Sequence, residues 1–178
     1  MDDFGHHLAT NCCNGGQRYV THDSVKNELN SILLYCGHWT KLEERGIFHD
    51  NRRPDISVYN PPSGTTRRLL IDVSITSPLV GFRPNAASDL RVGSAAQKAF
   101  NAKAHKYGQV VKDHGFSFLP FIFESTGYLH PEARKFLRLL AKGASEVKRI
   151  SEEVLYKYFM KRLTTSLQLG MNELLMRF

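Results

Sequence analysis

Asp55, Asp72 and Lys103 are charged residues set in segments that otherwise read as core. Asp72 lies inside LLIDVSIT, a β-branched, apolar run. Strand alternation puts Ile71, Val73 and Ile75 on one face and Leu70, Asp72 and Ser74 on the other. A carboxylate in such a strand is costly to bury unless it is paired or binds a metal. Asp55 opens DISVYN, which alternates as a strand does, and the turn-forming NPPSG between the two segments predicts a β-hairpin with a longer-than-minimal loop. Two carboxylates on adjacent strands repel each other, and a divalent cation removes that penalty. Hard oxygen ligands of this kind suit Mg²⁺ or Mn²⁺. The alternative for Asp72 is pairing with an arginine, of which Arg52, Arg53, Arg67 and Arg68 are near in sequence.

Lys103 belongs to a helical pattern. At about 100° per residue, Ala96, Ala99, Phe100, Ala104, Tyr107, Val110 and Val111 form one apolar stripe, and Lys103 falls near its middle. Lys98 points away and Lys106 sits on the flank. A lysine aimed at the core needs a carboxylate, a ligand or a snorkelling route to water. Snorkelling is commonest near helix ends and Lys103 is mid-helix, which favours a polar partner in a cleft.

The elements that must position these residues follow from pattern and punctuation. Residues 1–20 are polar, glycine-bearing and aperiodic, and read as an irregular arm; residues 21–178 read as one domain. A helix is expected from about Asp23 to Cys36, with Val25, Leu29, Ile32 and Leu33 on one face and Gly37 as its stop. WTKLEE reads as a short strand, then comes the hairpin, and the stretch from Ser77 to Gly93 reads as a loop. Ser94 and Gln97 make a capping box that opens the next helix, to about His114. FSFLPFIFE is a buried strand whose Pro120 argues for a sheet edge or a bulge. Pro131 begins a helix to about Ala141, and a last helical region runs from about Ser145, with Gly170 a candidate interruption. The sum is a single α/β domain with a mixed central sheet flanked by helices.

In this setting the ordered residues Arg53, Pro54 and Asp55, a turn, then a hydrophobic strand carrying Asp72 resemble the PD-(D/E)XK restriction-like nuclease superfamily. The lysine that normally stands two residues after the second acid is replaced here by Ser74. Some members are understood to move it to the following helix, where Lys103, or Lys106 as a substitute, fills the role. The resemblance is closest to the endonuclease domains that follow reverse transcriptases in non-LTR retrotransposons, in the Lys103, Lys106, Tyr107 arrangement and in the strings LIDVSITSPL, FIFESTGY and FMKRLTTSLQLGMN.

The resemblance implies a restriction-endonuclease-like fold and metal-dependent hydrolysis of DNA phosphodiester bonds. Asp55 and Asp72 would hold Mg²⁺ or Mn²⁺, and Lys103 would orient water or stabilise charge on the phosphoryl oxygens. Glu28, on the first helix, is its candidate third acid, against the plain reading of an exposed helical glutamate. Glu124, ending an apolar strand, either reaches the cleft or caps the chain that follows. The retroelement relatives also suggest that His7 and Cys12 are half of a zinc knuckle, with Cys13 and His22 as completions. A CxxC pair that would finish the site is missing, so a solvated arm is the better reading.

Charge agrees with a polyanionic partner. Lys and Arg number 24 against 17 acidic residues, for a net +7, and neutralised phosphates release condensed counterions. Arg52, Arg53, Arg67 and Arg68 at the hairpin, Arg83 and Arg91 in the long loop, and Lys106 are candidates to track DNA phosphates without reading bases. Three cysteines form no disulfide framework and MDDFGHH has no signal-peptide character, so an intracellular location is expected, nuclear if the source is eukaryotic. No apolar run is long enough for a membrane span. Two other readings compete with the endonuclease: the same fold kept as a catalytically inactive DNA-binding module, and a homodimer built on the stripe of Val154, Leu155, Tyr158, Phe159, Leu163 and Leu167.

Overall fold

The computed structural model of the chain describes residues 17–48, 53–62, 67–78 and 91–175. His7, Cys12, Cys13, Arg52 and Arg83, and the side chain of Val110, lie outside the described residues.

Helix α1, Gln17–Tyr35, begins earlier than the sequence pattern predicts, so Gln17 to Val20 and His22 are helical. Val25, Leu29, Ile32 and Leu33 are its fully buried face. It ends at Gly37, whose φ of +83° is a conformation open to glycine. The Gly37 and His38 N–H groups return to the carbonyls of Leu34 and Leu33, closing a Schellman-type C-terminus.

Four strands follow in the spatial order β1, β2, β3, β4: Thr40–Leu42, Ile56–Val58, Leu69–Thr76 and Ser117–Glu124. β2 runs antiparallel to both of its neighbours, β1 and β3, and β4 lies parallel to β3, joined to it by the crossover helix α2, Ser94–Asp113. The sheet is therefore mixed. Pro120 is tolerated because β4 is an edge strand, where a missing N–H need not break a ladder.

Each sheet face is covered. On one, Ile56, Val58, Leu69, Ile71, Val73, Phe121 and Phe123 pack against α1 and the two C-terminal helices, α3 (Pro131–Lys148) and α4 (Glu152–Leu175). On the other, Leu70 and Phe118 pack against Tyr107 and Val111 of α2, with Ile47 and Phe48. Strand β3 is thus buried on both sides, which explains its nearly unbroken apolar run. No described helix is long and apolar enough to cross a membrane.

The C-terminal helices divide differently from the expectation. The helix predicted to stop near Ala141 runs on to Lys148, because Ala141 and Ala144 still face the core. Arg149, left-handed at φ 57°, ends it by returning its N–H to Ser145. Gly170 does not interrupt α4. A Cβ there would sit 2.7 Å from the Thr21 Cα, so this glycine lets α1 and α4 approach closely. Leu155, Phe159, Leu163 and Leu167 are buried against the other helices, so packing within the chain accounts for most of that stripe, while Val154 and Tyr158 are exposed.

His130 caps α3. Its Nδ1 accepts the Glu132 N–H at 3.3 Å, which leaves the proton on Nε2 to donate to Gln97 Oε1 at 3.2 Å. The ring stacks on Phe100 with centroids 4.2 Å apart, and burial lowers its pKa from 6.5. The neutral form is the one the fold uses.

Two outcomes follow from this packing. Leu163→Asp should abolish cooperative thermal unfolding; a soluble, folded monomer would instead show that Leu163 serves an interface between copies. Because the folded pKa of His130 lies below the unfolded value, its contribution is complete above 6.5 and is lost as pH falls through the folded pKa. Wild-type Tm should therefore fall relative to His130→Asn, which keeps a capping side chain, between about pH 7 and about pH 5. A Tm difference constant with pH would refute the neutral cap.

Candidate active site

Asp55 sits immediately before β2, and the β2–β3 ladder pairs Ile56 with Ile71. Continuing that register by one residue sets Asp55 opposite Asp72. Beyond this point β2 has ended while β3 runs on, so β3 loses its antiparallel neighbour. The Asp55 side chain supplies the lost acceptor: its Oδ2 takes the Val73 N–H at 2.6 Å. One carboxylate thus serves as a strand terminator beside the other.

Asp72 points towards α2 and is 7% exposed. Lys103 Nζ comes from the middle of the α2 stripe to within 2.7 Å of Asp72 Oδ2. The same ammonium lies 5.9 Å from the Tyr107 ring centroid. Among the described residues, Asp72 is therefore paired with the helix lysine and not with Arg53, Arg67 or Arg68. Burial lifts its carboxyl above the ordinary range, the Lys103 charge and hydrogen bond pull it down, and the Asp55 charge pushes it up again. Ser74 Oγ, two residues along the same face, is at 3.5 Å from Asp72 Oδ2.

A further residue reaches the pair from the opposite helical layer. His22 Nε2 of α1 lies 3.1 Å from Asp55 Oδ2, and its Nδ1 lies 3.1 Å from Asp23 Oδ1. Burial works to lower the His22 pKa, but the hydrogen bond and charge of Asp55, with the Asp23 bond, outweigh it and the net shift is upward. From the sequence His22 is only a candidate completion of a zinc knuckle; the structure puts it on α1, against Asp55. No apolar periodicity marks it, because the first turns of α1 are polar.

The other candidates lie elsewhere. Glu28 points to α4, where it pairs with Arg162, and does not join Asp55 and Asp72. It is six residues beyond His22, and at about 100° per residue that rotation carries it to a different face of the helix. Glu124 is 1% exposed and caps the N-terminus of α2, the helix that precedes it in the chain: its oxygens accept the N–H groups of Ala96 at 3.0 Å and Gly93 at 3.4 Å. A carboxylate there also complements the helix macrodipole. The Gln97 side chain, expected in a capping box, is directed to Asn101 and His130.

Arg68 is engaged by Glu44 at 3.3 Å and lies over the Tyr59 ring at 4.2 Å. Arg53, Arg67 and Arg91 are exposed, and Lys106 lies 5.2 Å from the Tyr107 ring centroid. Among the described residues, no group of three or more His, Cys, Asp and Glu side chains is gathered as a metal cluster. Among the described residues, the acidic donors brought together at the site are the Asp55 and Asp72 carboxylates.

No family model matches this sequence. It is 28% identical over 151 residues to the retrotransposable element SLACS 132 kDa protein of Trypanosoma brucei gambiense. That alignment takes in 80% of this chain but only 12% of the trypanosome protein's length.

Lys103→Met should raise the Asp72 pKa further in the metal-free protein, because it removes the nearest cation while leaving burial and Asp55 in place. Carbon-13 NMR titration of the Asp72 carboxyl reads this directly. An unchanged titration would show that the two side chains are not coupled in solution.

Proposed function

We propose that this chain is a retroelement-related, metal-dependent endonuclease domain that hydrolyses DNA phosphodiester bonds. The observation that carries the reading is the convergence of Lys103 from α2 on Asp72, beside an Asp55 held opposite on the neighbouring strand. Similarity to a retrotransposable element protein supports the retroelement part of this reading. The net charge of +7 favours a polyanionic substrate.

The two carboxylates fit a hard divalent cation, Mg²⁺ or Mn²⁺. Each uses Oδ2 for its contacts with described residues, leaving donor capacity on Oδ1. A pair of protein carboxylates is an ordinary complement for Mg²⁺, which keeps several waters and takes phosphate oxygens from its substrate. Asp55 and Asp72 would hold it, and it would supply charge stabilisation at the phosphoryl group and acidify a bound water.

Lys103 neutralises Asp72 in the metal-free protein. With a cation and a phosphodiester present, its ammonium would stabilise charge developing on the phosphoryl oxygens. The role assigned elsewhere to a lysine two residues after the second acid would thus pass to a helix residue. Exposed Arg53 and Arg67 at the hairpin are candidates to contact the phosphates that flank the scissile bond.

The test is nicking of supercoiled plasmid and of branched DNA with Mg²⁺ or Mn²⁺. Wild type should nick only with metal. Asp72→Asn should lose at least about a hundredfold in rate while still binding DNA, as removal of a group acting mainly in the transition state does. Binding by both proteins with cleavage by neither would mean that the fold serves as a DNA-gripping module.

A further inference from the structure

Lys26 is a buried lysine, 4% exposed, in the middle of α1 and one helical turn after His22. Buried ammonium groups persist only where carboxylates compensate them. Lys26 has two: Asp23 Oδ1 at 2.8 Å, and Glu43, which follows β1. Asp23 Oδ1 is also the atom facing His22 Nδ1. Glu43 in turn gives its backbone N–H to the Asp55 carbonyl at 3.1 Å. The contacts close a ring that leaves Asp55 through its carboxylate, passes His22, Asp23, Lys26 and Glu43, and returns to Asp55 through its own backbone.

Two features of the ring are more than a helix-to-sheet clamp requires. Glu43 holds a left-handed backbone, φ 46°, where glycine would fit without strain. Its side chain is what reaches Lys26. And both partners of Lys26 are far more exposed than the lysine itself, at 47% and 51% against 5% for the side chains. The burial falls on the cation at the centre, next to the residue that touches the site.

We propose that Lys26 is a positioning residue for the candidate active site: backed by Glu43 it fixes Asp23, Asp23 fixes the Nδ1 edge of His22, and His22 Nε2 orients the Asp55 carboxylate. The consequence for metal binding rests on the endonuclease reading above. The orientation of the ring does not.

The experiment pairs two readouts on the full chain: Mn²⁺ affinity by calorimetry without DNA, and nitrogen-15 NMR of the His22 ring. In the wild type both His22 ring N–H groups should be hydrogen-bonded, because each ring nitrogen faces a carboxylate oxygen that can only accept. Lys26→Met and Asp23→Asn should shift the Nδ1–H signal and weaken Mn²⁺ binding by about tenfold or more, as loss of outer-shell partners does, and Lys26→Arg should restore both. If these variants lose thermal stability but keep the wild-type affinity and ring signals, Lys26 is only a structural clamp and the proposal fails. Should Lys26→Met not fold, Glu43→Gly cuts the ring while relieving the backbone, and unchanged signals in it would also overturn the proposal. If wild type and Asp72→Asn bind Mn²⁺ equally weakly, the metal reading falls, and the His22 signals alone decide the positioning role.

Discussion

Asp55 and Asp72 face one another at the last step before β2 parts from β3, and the charge of Asp55 works, with burial, against ionisation of Asp72. The fold meets this with one basic side chain from each side of the sheet, Lys103 from α2 and His22 from α1. The same two contacts tie both helical layers to the sheet. Charge compensation and tertiary docking are here one interaction.

The position of Lys103 depends on how α2 is held, and both ends of the helix are anchored by chemistry distant from the carboxylates. At the N-terminal end, the buried Glu124 of β4 accepts the Gly93 and Ala96 N–H groups, and Phe100 stacks on His130. Towards the C-terminal end, Tyr107 and Val111 pack with Leu70 and Phe118. Lys103 lies between these anchors. The buried Glu124 and His130 therefore belong to the support of the site although neither touches it. Each would be a liability if unpaired, and each is instead used to satisfy a helix start.

Ser74 bears on how the site is built. Ser74, two residues after Asp72 on the same face, carries no charge, so the cation that meets Asp72 comes from another element. The α2 stripe brings it from a different element, so its placement relies on the β3–α2–β4 crossover and not on strand alternation alone. A lysine two residues after Asp72 would share the face of its carboxylate by strand geometry. A lysine on α2 requires the whole crossover to be in register.

The strands, the helix from Ser94 and the placing of Asp72 on the face of β3 opposite Ile71 and Val73 were legible because they follow from local periodicity and from the cost of burying charge. Lys103 was legible for the same reason: a cation in the middle of an apolar stripe must meet something. Other features carried no such local mark. His22, Asp23 and Lys26 lie on an α1 whose first turns are polar, and their alignment with Asp55 depends on how that helix crosses the sheet. Glu28 sits on the same helix with equal sequence credentials, yet helical rotation delivers it to Arg162. The extension of α3 past Ala141 and the passage of α4 through Gly170 were decided by what Ala144 and Gly170 face. Periodicity says which side of an element is buried, and so the sequence by itself determined the layers and which charges needed partners. Which partner each charge met was decided only by the tertiary structure, because long-range contacts such as that between His22 and Asp55 depend on how elements cross.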